Sequence, residues 1–187
     1  MNSAGIVVAA GASSRMGRPK ALLETPFGPL AFMQWSLLKA CGCDPVHIVL
    51  GHDAESVATQ LPGCDITINP DWSQGRFTSV RKGLTTVPKG SGCIILPVDA
   101  AGIQPATLKT LLLRASSENA AALRPVFEGS PGHLVWLSPA IVDTLVAMTD
   151  VTELNLGEWL GPHEERYACD DRHILTNVNT IKDWQSL

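Results

Sequence analysis

The chain has no apolar run that approaches the roughly 20 residues of a membrane-spanning helix. Charged residues make up only 17% of its 187 residues and the net charge is −4, which argues against non-specific nucleic-acid binding. No cationic and apolar leader precedes the first apolar segment, so we expect no secretory signal and a cytoplasmic location. With 45% hydrophobic residues, the composition indicates one globular domain over residues 1–187.

Several familiar site patterns are also missing. Cys41-Gly42-Cys43 has no matching second pair, which argues against a structural zinc site, and we expect the five cysteines to be small buried side chains rather than disulfides. A Walker loop beginning at Gly11 would require glycine and lysine where Met16 and Gly17 stand. The dinucleotide fingerprint G-x-G-x-x-G fails as well, at Ser13 and Met16.

Strand-like and helix-like segments alternate along the chain, without internal repeats, which predicts βαβ units and a largely parallel sheet. Such sheets bind ligands beyond the carboxyl ends of their strands, so we expect the loops after Ala10, Leu50, Ile68, Val98 and Val126 to meet at one edge. We predict strands at 6–10, 46–50, 65–68, 94–98, 121–126 and 175–178. We predict helices at 30–40, 55–61, 78–87, 105–115, 139–148 and 155–160.

The loop after the first predicted strand combines small residues with cations, in the order Gly11-Ala12-Ser13-Ser14-Arg15-Met16-Gly17-Arg18-Pro19-Lys20. Small side chains let backbone N–H groups approach phosphate oxygens, and Arg15, Arg18 and Lys20 can neutralise phosphate charge. This pattern predicts a polyphosphate site. The alternative is an ordinary strand-to-helix turn with solvated cations.

Two later segments carry candidate metal ligands. Asp99 ends the apolar run 94–98, and a carboxylate at the carboxyl end of a strand is well placed to hold Mg²⁺, although a capping or turn aspartate is the alternative. Asn177 and Asn179 would lie on the same side of the last predicted strand, where their amide oxygens could serve one metal or phosphate. Turn and capping roles remain open for this pair.

Two further segments are candidates for binding organic groups. In the polar segment 69–83, Ser79 and the free N–H groups of a helix start could contact a base or ribose. His133 lies between turn residues and an apolar run, and it could orient an acceptor substrate or its phosphate, or be structural.

Taken together, these segments resemble the MobA-like nucleotidyltransferases that make molybdenum cofactor dinucleotides. The resemblance runs from Val7 to about Trp184. Its most specific part is Ala9-Ala10-Gly11-x-Ser13-x-Arg15-Met16-Gly17-x-x-Lys20. The other parts are Asn69-x-x-Trp72-x-x-Gly75-x-x-x-Ser79, Pro97-Val98-Asp99, Arg124-Pro125 with Gly132-His133, and Asn177-x-Asn179-Thr180.

The resemblance implies a three-layer α/β/α sandwich around a mostly parallel, Rossmann-like sheet. It also implies Mg²⁺-dependent transfer of NMP from an NTP to a phosphate acceptor such as molybdopterin, with release of pyrophosphate. Arg15, Lys20 and Asp99 would carry catalysis, Asp99, Asn177 and Asn179 would hold the metal, and His133 would bind the acceptor. The implied nucleotide-binding residues are Ala9, Ala10, Gly11, Ala12, Ser13, Arg15, Lys20, Asn69, Ser79 and Asp99.

The resemblance leaves the base and the acceptor open. Ala9-Ala10-Gly11 and Gly132-His133 resemble the cytidylyl branch and favour CTP, whereas the tail Asn177-x-Asn179-Thr180 resembles guanylyl enzymes. Ala101 and Ile181 stand where the family commonly has proline. The alternatives are a sugar-1-phosphate or polyol-phosphate nucleotidyltransferase, and a weakened nucleotide-binding accessory protein that serves a molybdoenzyme.

Overall fold

The computed structural model describes residues 2–149 and 154–185 and has a mixed eight-stranded sheet at its centre. The described residues form the strands β1 (Ser3–Val8), β2 (Glu24–Thr25), β3 (Gly28–Pro29), β4 (Val46–Leu50), β5 (Asp65–Ile68), β6 (Gly92–Pro97), β7 (Ala122–Phe127), β8 (Ser130–Pro131), β9 (Val135–Leu137) and β10 (Glu164–Ala168). They also form the helices α1 (Leu30–Ala40), α2 (Ala54–Ala58), α3 (Arg76–Leu84), α4 (Pro105–Ser117), α5 (Pro139–Ala147), α6 (Leu156–Leu160) and α7 (Ile181–Gln185).

The order of the main sheet is β10-β7-β9-β6-β1-β4-β5, with β8 beside β7, while β2 and β3 form a separate pair. β1 is parallel to β4 and β6, and β4 is parallel to β5. β9 is antiparallel to both β6 and β7, so β7 runs in the same direction as β6. The carboxyl ends of β1, β4, β5, β6 and β7 therefore lie at one edge of the sheet.

Helices cover both faces of this sheet, which confirms the three-layer α/β/α sandwich. Alternate residues of a strand point to opposite faces, so Val7 and Ile6 belong to two different buried clusters. The first cluster includes Leu38 of α1 and Leu108 of α4, and the second includes Phe77 of α3. The uninterrupted apolar run of β6 is buried because both of its faces are covered.

The predicted strand at 175–178 is wrong. Residues Arg172–Leu175 form a 3-10 helix instead, and the carboxylate of Asp171 accepts the N–H of His173 at its start. Two backbone groups of this segment bond to loops rather than to a strand: Ile174 O accepts the N–H of His133 (2.9 Å), and the N–H of Val178 donates to Asp99 O (3.0 Å). Leu175 and Val178 are apolar because they pack against the first core cluster.

Five strands were not predicted: β2, β3 and β8, which are only two residues long, and β9 and β10. β10 is polar and charged because it lies at the edge of the sheet, and β9 is only three residues long. The first strand also ends at Val8, so Ala9 and Ala10 belong to the following loop. No helix among the described residues combines the length and apolar character that crossing a membrane requires.

Candidate active site

A cavity of about 620 Å³ opens at the edge of the sheet where the parallel strands end. The loops after β1, β5 and β6, the strands β7 and β9, helix α6 and the C-terminal segment all contribute to it. Its lining includes Ala9, Ala10, Gly11, Ser13, Arg15, Lys20, Trp72, Ser79, Asp99, Arg124, His133, Val135, Leu156, Asn177 and Asn179. The cavity thus contains most of the residues that the sequence predicts for one site.

The loop that follows β1 is held in shape by its own polar groups. Ser13 has the left-handed conformation (φ 52°), its hydroxyl accepts the N–H of Lys20 (3.0 Å), and its carbonyl accepts the N–H of Met16 (2.8 Å). Met16 is buried, whereas Arg15 is exposed. These contacts turn Arg15 and Lys20 toward the same cavity and leave small residues along its rim.

The charged groups of the site form one cluster. The ammonium group of Lys20 donates to Asp99 Oδ2 (2.8 Å) and to Asn179 Oδ1 (3.0 Å), and Arg15 Nη2 donates to the same Asn179 oxygen (3.0 Å). Two cations and one carboxylate leave a formal net charge of one positive. A positively charged cluster beside a loop of small residues, whose backbone N–H groups are accessible, is suited to bind the phosphates of a nucleotide.

Asn179 is held from its C-terminal side by helix α7. Asp183 Oδ2 accepts the N–H groups of Asn179 (2.9 Å) and Thr180 (2.8 Å), and the Thr180 hydroxyl accepts the N–H of Asp183 (3.2 Å). These two backbone hydrogen bonds hold the pKa of Asp183 below its usual value. The start of α7 therefore fixes the backbone from which Asn179 reaches Arg15 and Lys20.

The donor set of the site fits a hard divalent cation that also binds phosphate. Asp99, Asn177 and Asn179 offer oxygen ligands, and Mg²⁺ in such sites takes one or two carboxylates together with phosphate oxygens and water. The described part of the chain has no group of three or more His, Cys, Asp or Glu side chains that would enclose a metal alone. The Asn179 oxygen already accepts two cationic donors and Asp99 Oδ2 accepts one, so the second oxygen of the Asp99 carboxylate is the charged ligand best placed for a metal.

Asn69 supports the site from behind. It is buried, and its amide donates to the hydroxyls of Thr78 (3.0 Å) and Ser79 (3.0 Å), which fixes the start of α3. Ser79 lines the cavity, whereas Asn69 and Ala12 do not, so nucleotide contact by these two residues stays a prediction. Trp72 also lines the cavity, and its side chain packs against Gly51.

Sequence reasoning assigned no role to Arg124, which lines the same cavity as His133. Arg124 Nε donates to Glu164 Oε2 (2.5 Å) and its Nη1 donates to Gly132 O (2.8 Å), next to His133. The only signal in the sequence was the pairing of Arg124-Pro125 with Gly132-His133 in the family resemblance. Arg18, by contrast, lies outside the lining and is exposed.

The fold and the phosphate-type loop define a nucleotide-handling transferase domain. The chain belongs to the MobA-like NTP transferase domain family, whose model matches residues 5–165. This match confirms the resemblance described above. Residues 166–185, which include Asn177 and Asn179, lie beyond the matched range.

Curated relatives include proteins of two different activities. The chain is 32% identical to the nicotine blue oxidoreductase of Paenarthrobacter nicotinovorans, over 98% of this chain and 95% of that protein. It is 26% identical to the molybdenum cofactor cytidylyltransferase of Escherichia coli, over 96% of this chain and 92% of that protein. A probable molybdenum cofactor guanylyltransferase of Synechococcus elongatus is also 26% identical, over 100% and 98% of the two chains.

Solved structures share the fold. The crystal structure of Rv0371c from Mycobacterium tuberculosis aligns with a TM-score of 0.83 at 24% identity, over 100% of this chain and 96% of that one. Its complex with manganese aligns with a TM-score of 0.79 at 23% identity, over 100% and 98% of the two chains.

Proposed function

We propose that this protein transfers NMP from an NTP, with CTP preferred over GTP, to the phosphate of molybdopterin and releases pyrophosphate. The observation that carries this proposal is the cluster in which Arg15 and Lys20 converge with Asp99 in the lining of the cavity. Relatives that make cytidylyl and guanylyl derivatives of the molybdenum cofactor support the same reaction class. The preference for CTP is supported by the Ala9-Ala10-Gly11 sequence of the loop.

In this proposal an oxygen of the acceptor phosphate attacks the α-phosphorus of the NTP. The bond from that phosphorus to the oxygen shared with the β-phosphorus breaks, and pyrophosphate leaves with the bonding electrons. The attacking oxygen is already anionic, so no general base is required. Arg15 and Lys20 bind and align the triphosphate and neutralise the charge that grows on the leaving group.

A divalent ion, Mg²⁺ in our proposal, would be held chiefly by Asp99, with Asn177 and Asn179 as neutral oxygen donors nearby. It would supply further charge neutralisation on the phosphate oxygens. The manganese complex of a protein with the same fold is consistent with such an ion. Ser79 would line the base and ribose, and His133 would orient the acceptor.

The test is pyrophosphate release from CTP, GTP and the other NTPs in the presence of Mg²⁺ and molybdopterin. We expect CTP to be the best donor, Asp99→Ala to abolish turnover, and Lys20→Ala to weaken CTP binding. Matched controls are Asp143→Ala on α5 and Lys109→Ala on α4, because both side chains are exposed and lie outside the cavity. Near wild-type turnover by Asp99→Ala would refute the role of the carboxylate.

A second candidate function is a redox reaction on a heterocyclic substrate. The specific observation in its favour is the relative named nicotine blue oxidoreductase, whose identity to this chain is 32% against 26% for the transferases described above. The same assay therefore includes NADH and NADPH, with oxidation followed by absorbance. Transfer to sugar-1-phosphates, or NTP binding without turnover on any acceptor, would instead favour the other two alternatives.

A further inference from the structure

We propose that Arg124 binds the end of the acceptor that lies farthest from the reacting phosphate. The ligand class is a flat ring with an apolar face and a carbonyl or anionic oxygen at its far edge. This inference rests on the proposed function, since it assumes that the cavity holds an acceptor beside the nucleotide. It adds a second contact point at the acceptor end, where the sequence indicated only His133.

The first argument is the burial of Arg124 and the use of its donors. Its side chain is only 11% exposed and Glu164 is 2% exposed, so their ion pair is almost fully removed from water. Arg166 approaches the other oxygen of Glu164 (2.7 Å), so the three groups together carry one positive charge. Arg124 uses Nε for Glu164 and Nη1 for Gly132, and its Nη2 makes no hydrogen bond to any described residue.

Arg124 Nη2 keeps some exposure at the cavity wall, so a ligand or water there can complete its hydrogen bonding. Arginine is the side chain best suited to hold a planar oxygen-bearing group in a fixed direction. Because the net charge of the trio is positive, the preferred partner is an oxygen that carries negative charge or a strong dipole.

The second argument is the surface between Arg124 and the phosphate loop. Val8, Ile95, Val135 and Leu156 all line the cavity, so its middle section is apolar. A free phosphate would gain little from such a surface, whereas the face of a flat ring would bury apolar area on it. The cavity therefore has a cationic cluster at one end, an apolar middle and Arg124 at the other side.

The third argument is distance across the sheet. Asp99 follows β6, and β7, which carries Arg124, is two strands away in the order β6-β9-β7. At about 4.8 Å per strand, the two backbones are separated sideways by roughly 10 Å. A single phosphate cannot bridge that separation, so a ligand that touches both Arg124 and the phosphate cluster must extend along the apolar section.

A purely structural role for Arg124 makes a different prediction. The contacts with Glu164 and Gly132 would then be its whole contribution, and its replacement would lower thermal stability and disturb every ligand alike. A binding role predicts a selective loss for the acceptor. The two roles are therefore separated by comparing ligands rather than by comparing activity alone.

The test uses Arg124→Lys and the double variant Arg124→Gln with Glu164→Gln, in which no charge is left buried without a partner. We expect KM for molybdopterin to rise about tenfold to hundredfold, kcat to change less, and the Kd for CTP to stay within about twofold. The matched control is Arg166→Gln, which removes the outer partner of Glu164 without reaching the cavity. Arg166→Gln should leave the KM for molybdopterin and the Kd for CTP near their wild-type values.

Three outcomes would overturn the assignment. One is an unchanged KM for molybdopterin in both Arg124 variants, and another is an equal rise in Arg166→Gln. A third is a rise in the Kd for CTP as large as the rise in KM for molybdopterin, which would indicate a structural role for Arg124. Failure of the wild-type protein to bind CTP or to release pyrophosphate is a separate result, because it would refute the proposed function itself and this inference with it.

Discussion

Replacing Asn179 by aspartate should weaken nucleotide binding in the absence of metal. The amide oxygen of Asn179 accepts hydrogen bonds from both Arg15 and Lys20, each at 3.0 Å. Aspartate keeps an acceptor in the same place, so the geometry of the cluster should survive. The change adds one negative charge, however, and the formal charge of the cluster falls from one positive to zero.

The size of the effect follows from Coulomb's law. A new carboxylate about 5 Å from a phosphate charge opposes it by about 1 kcal/mol at the dielectric constant of water and by about 3 kcal/mol at an effective value of 20. We therefore expect the metal-free Kd for CTP to rise by about 5- to 150-fold. The ligand-free protein should be as stable as wild type or slightly more stable, because the new carboxylate pairs with two cations.

The assay is calorimetric titration of CTP first in chelator and then in Mg²⁺. Magnesium should restore affinity more in Asn179→Asp than in wild type, since the new carboxylate lies beside Lys20, which itself contacts Asp99. The matched control is Asn119→Asp, which adds the same charge at an exposed residue outside the cavity and should leave the metal-free Kd unchanged. Unchanged metal-free affinity in Asn179→Asp would refute the binding of phosphates at Arg15 and Lys20.

Two further predictions concern the frame of the site. Burial acts to raise the pKa of Asp171, but hydrogen bonds from the backbone of Gln104, from Thr107 and from His173 outweigh it and hold the pKa below its usual value. Asp171→Asn should therefore lower the free energy of unfolding by about 1–3 kcal/mol at pH 7. In urea unfolding, the difference between variant and wild type should shrink as the pH falls below about 4, where the Asp171 carboxylate of the wild type becomes protonated. A difference that stays constant with pH would contradict this. In Gly51→Ala the new Cβ would clash with Trp72 Cβ. Thermal melting should therefore show a loss of about 1–3 kcal/mol in the free energy of unfolding, and CTP should bind more weakly. The control Gly161→Ala has open space around the new methyl group and should change neither quantity.

Much of the fold follows from local sequence. Buried parallel strands such as β4 and β6 are apolar on both faces, so their positions were predicted correctly to within two residues. Strand β10 could not be found in this way, because an edge strand may be polar and its pairing with β7 spans about 40 residues of chain. The apolar residues Leu175 and Val178 predict a strand that is absent, since Val178 is buried by loop packing rather than by strand pairing.

The sequence predicts those site residues that lie in loops after strands, because the sheet topology places these loops together. It does not predict residues whose position is fixed by side-chain partners far away along the chain. Asp99 lies just after β6, and Lys20 belongs to the loop that follows β1, the direct neighbour of β6, so the topology brings these two segments together. The resemblance places Asn69 among the nucleotide-binding residues, yet its amide is taken up by Thr78 and by Ser79. The position of Arg124 depends on Glu164, and no local pattern reveals that pair.

The two sequence signals for the base conflict, and the structure separates them in space. The carbonyl of Ala10 accepts the N–H of His52 beside Trp72, whereas Asn179 contacts Arg15 and Lys20. All NTPs carry the same triphosphate, so a residue that sets charge among these cations cannot distinguish cytosine from guanine. Under the proposed function, the resemblance of the tail to guanylyl enzymes therefore bears on phosphate and metal rather than on the base.

The Ala9-Ala10 pair and Gly132-His133 then remain as the signals for the base, and the first can be tested directly. Ala10→Gly converts Ala-Ala-Gly into Ala-Gly-Gly and should lower the ratio of kcat/KM for CTP to that for GTP. Asn179→Asp should weaken the binding of CTP and of GTP by similar factors and leave the ratio of their kcat/KM values unchanged. If Asn179→Asp shifts the ratio while Ala10→Gly does not, the base is selected through the C-terminal segment, and our assignment of that segment to the phosphates is wrong.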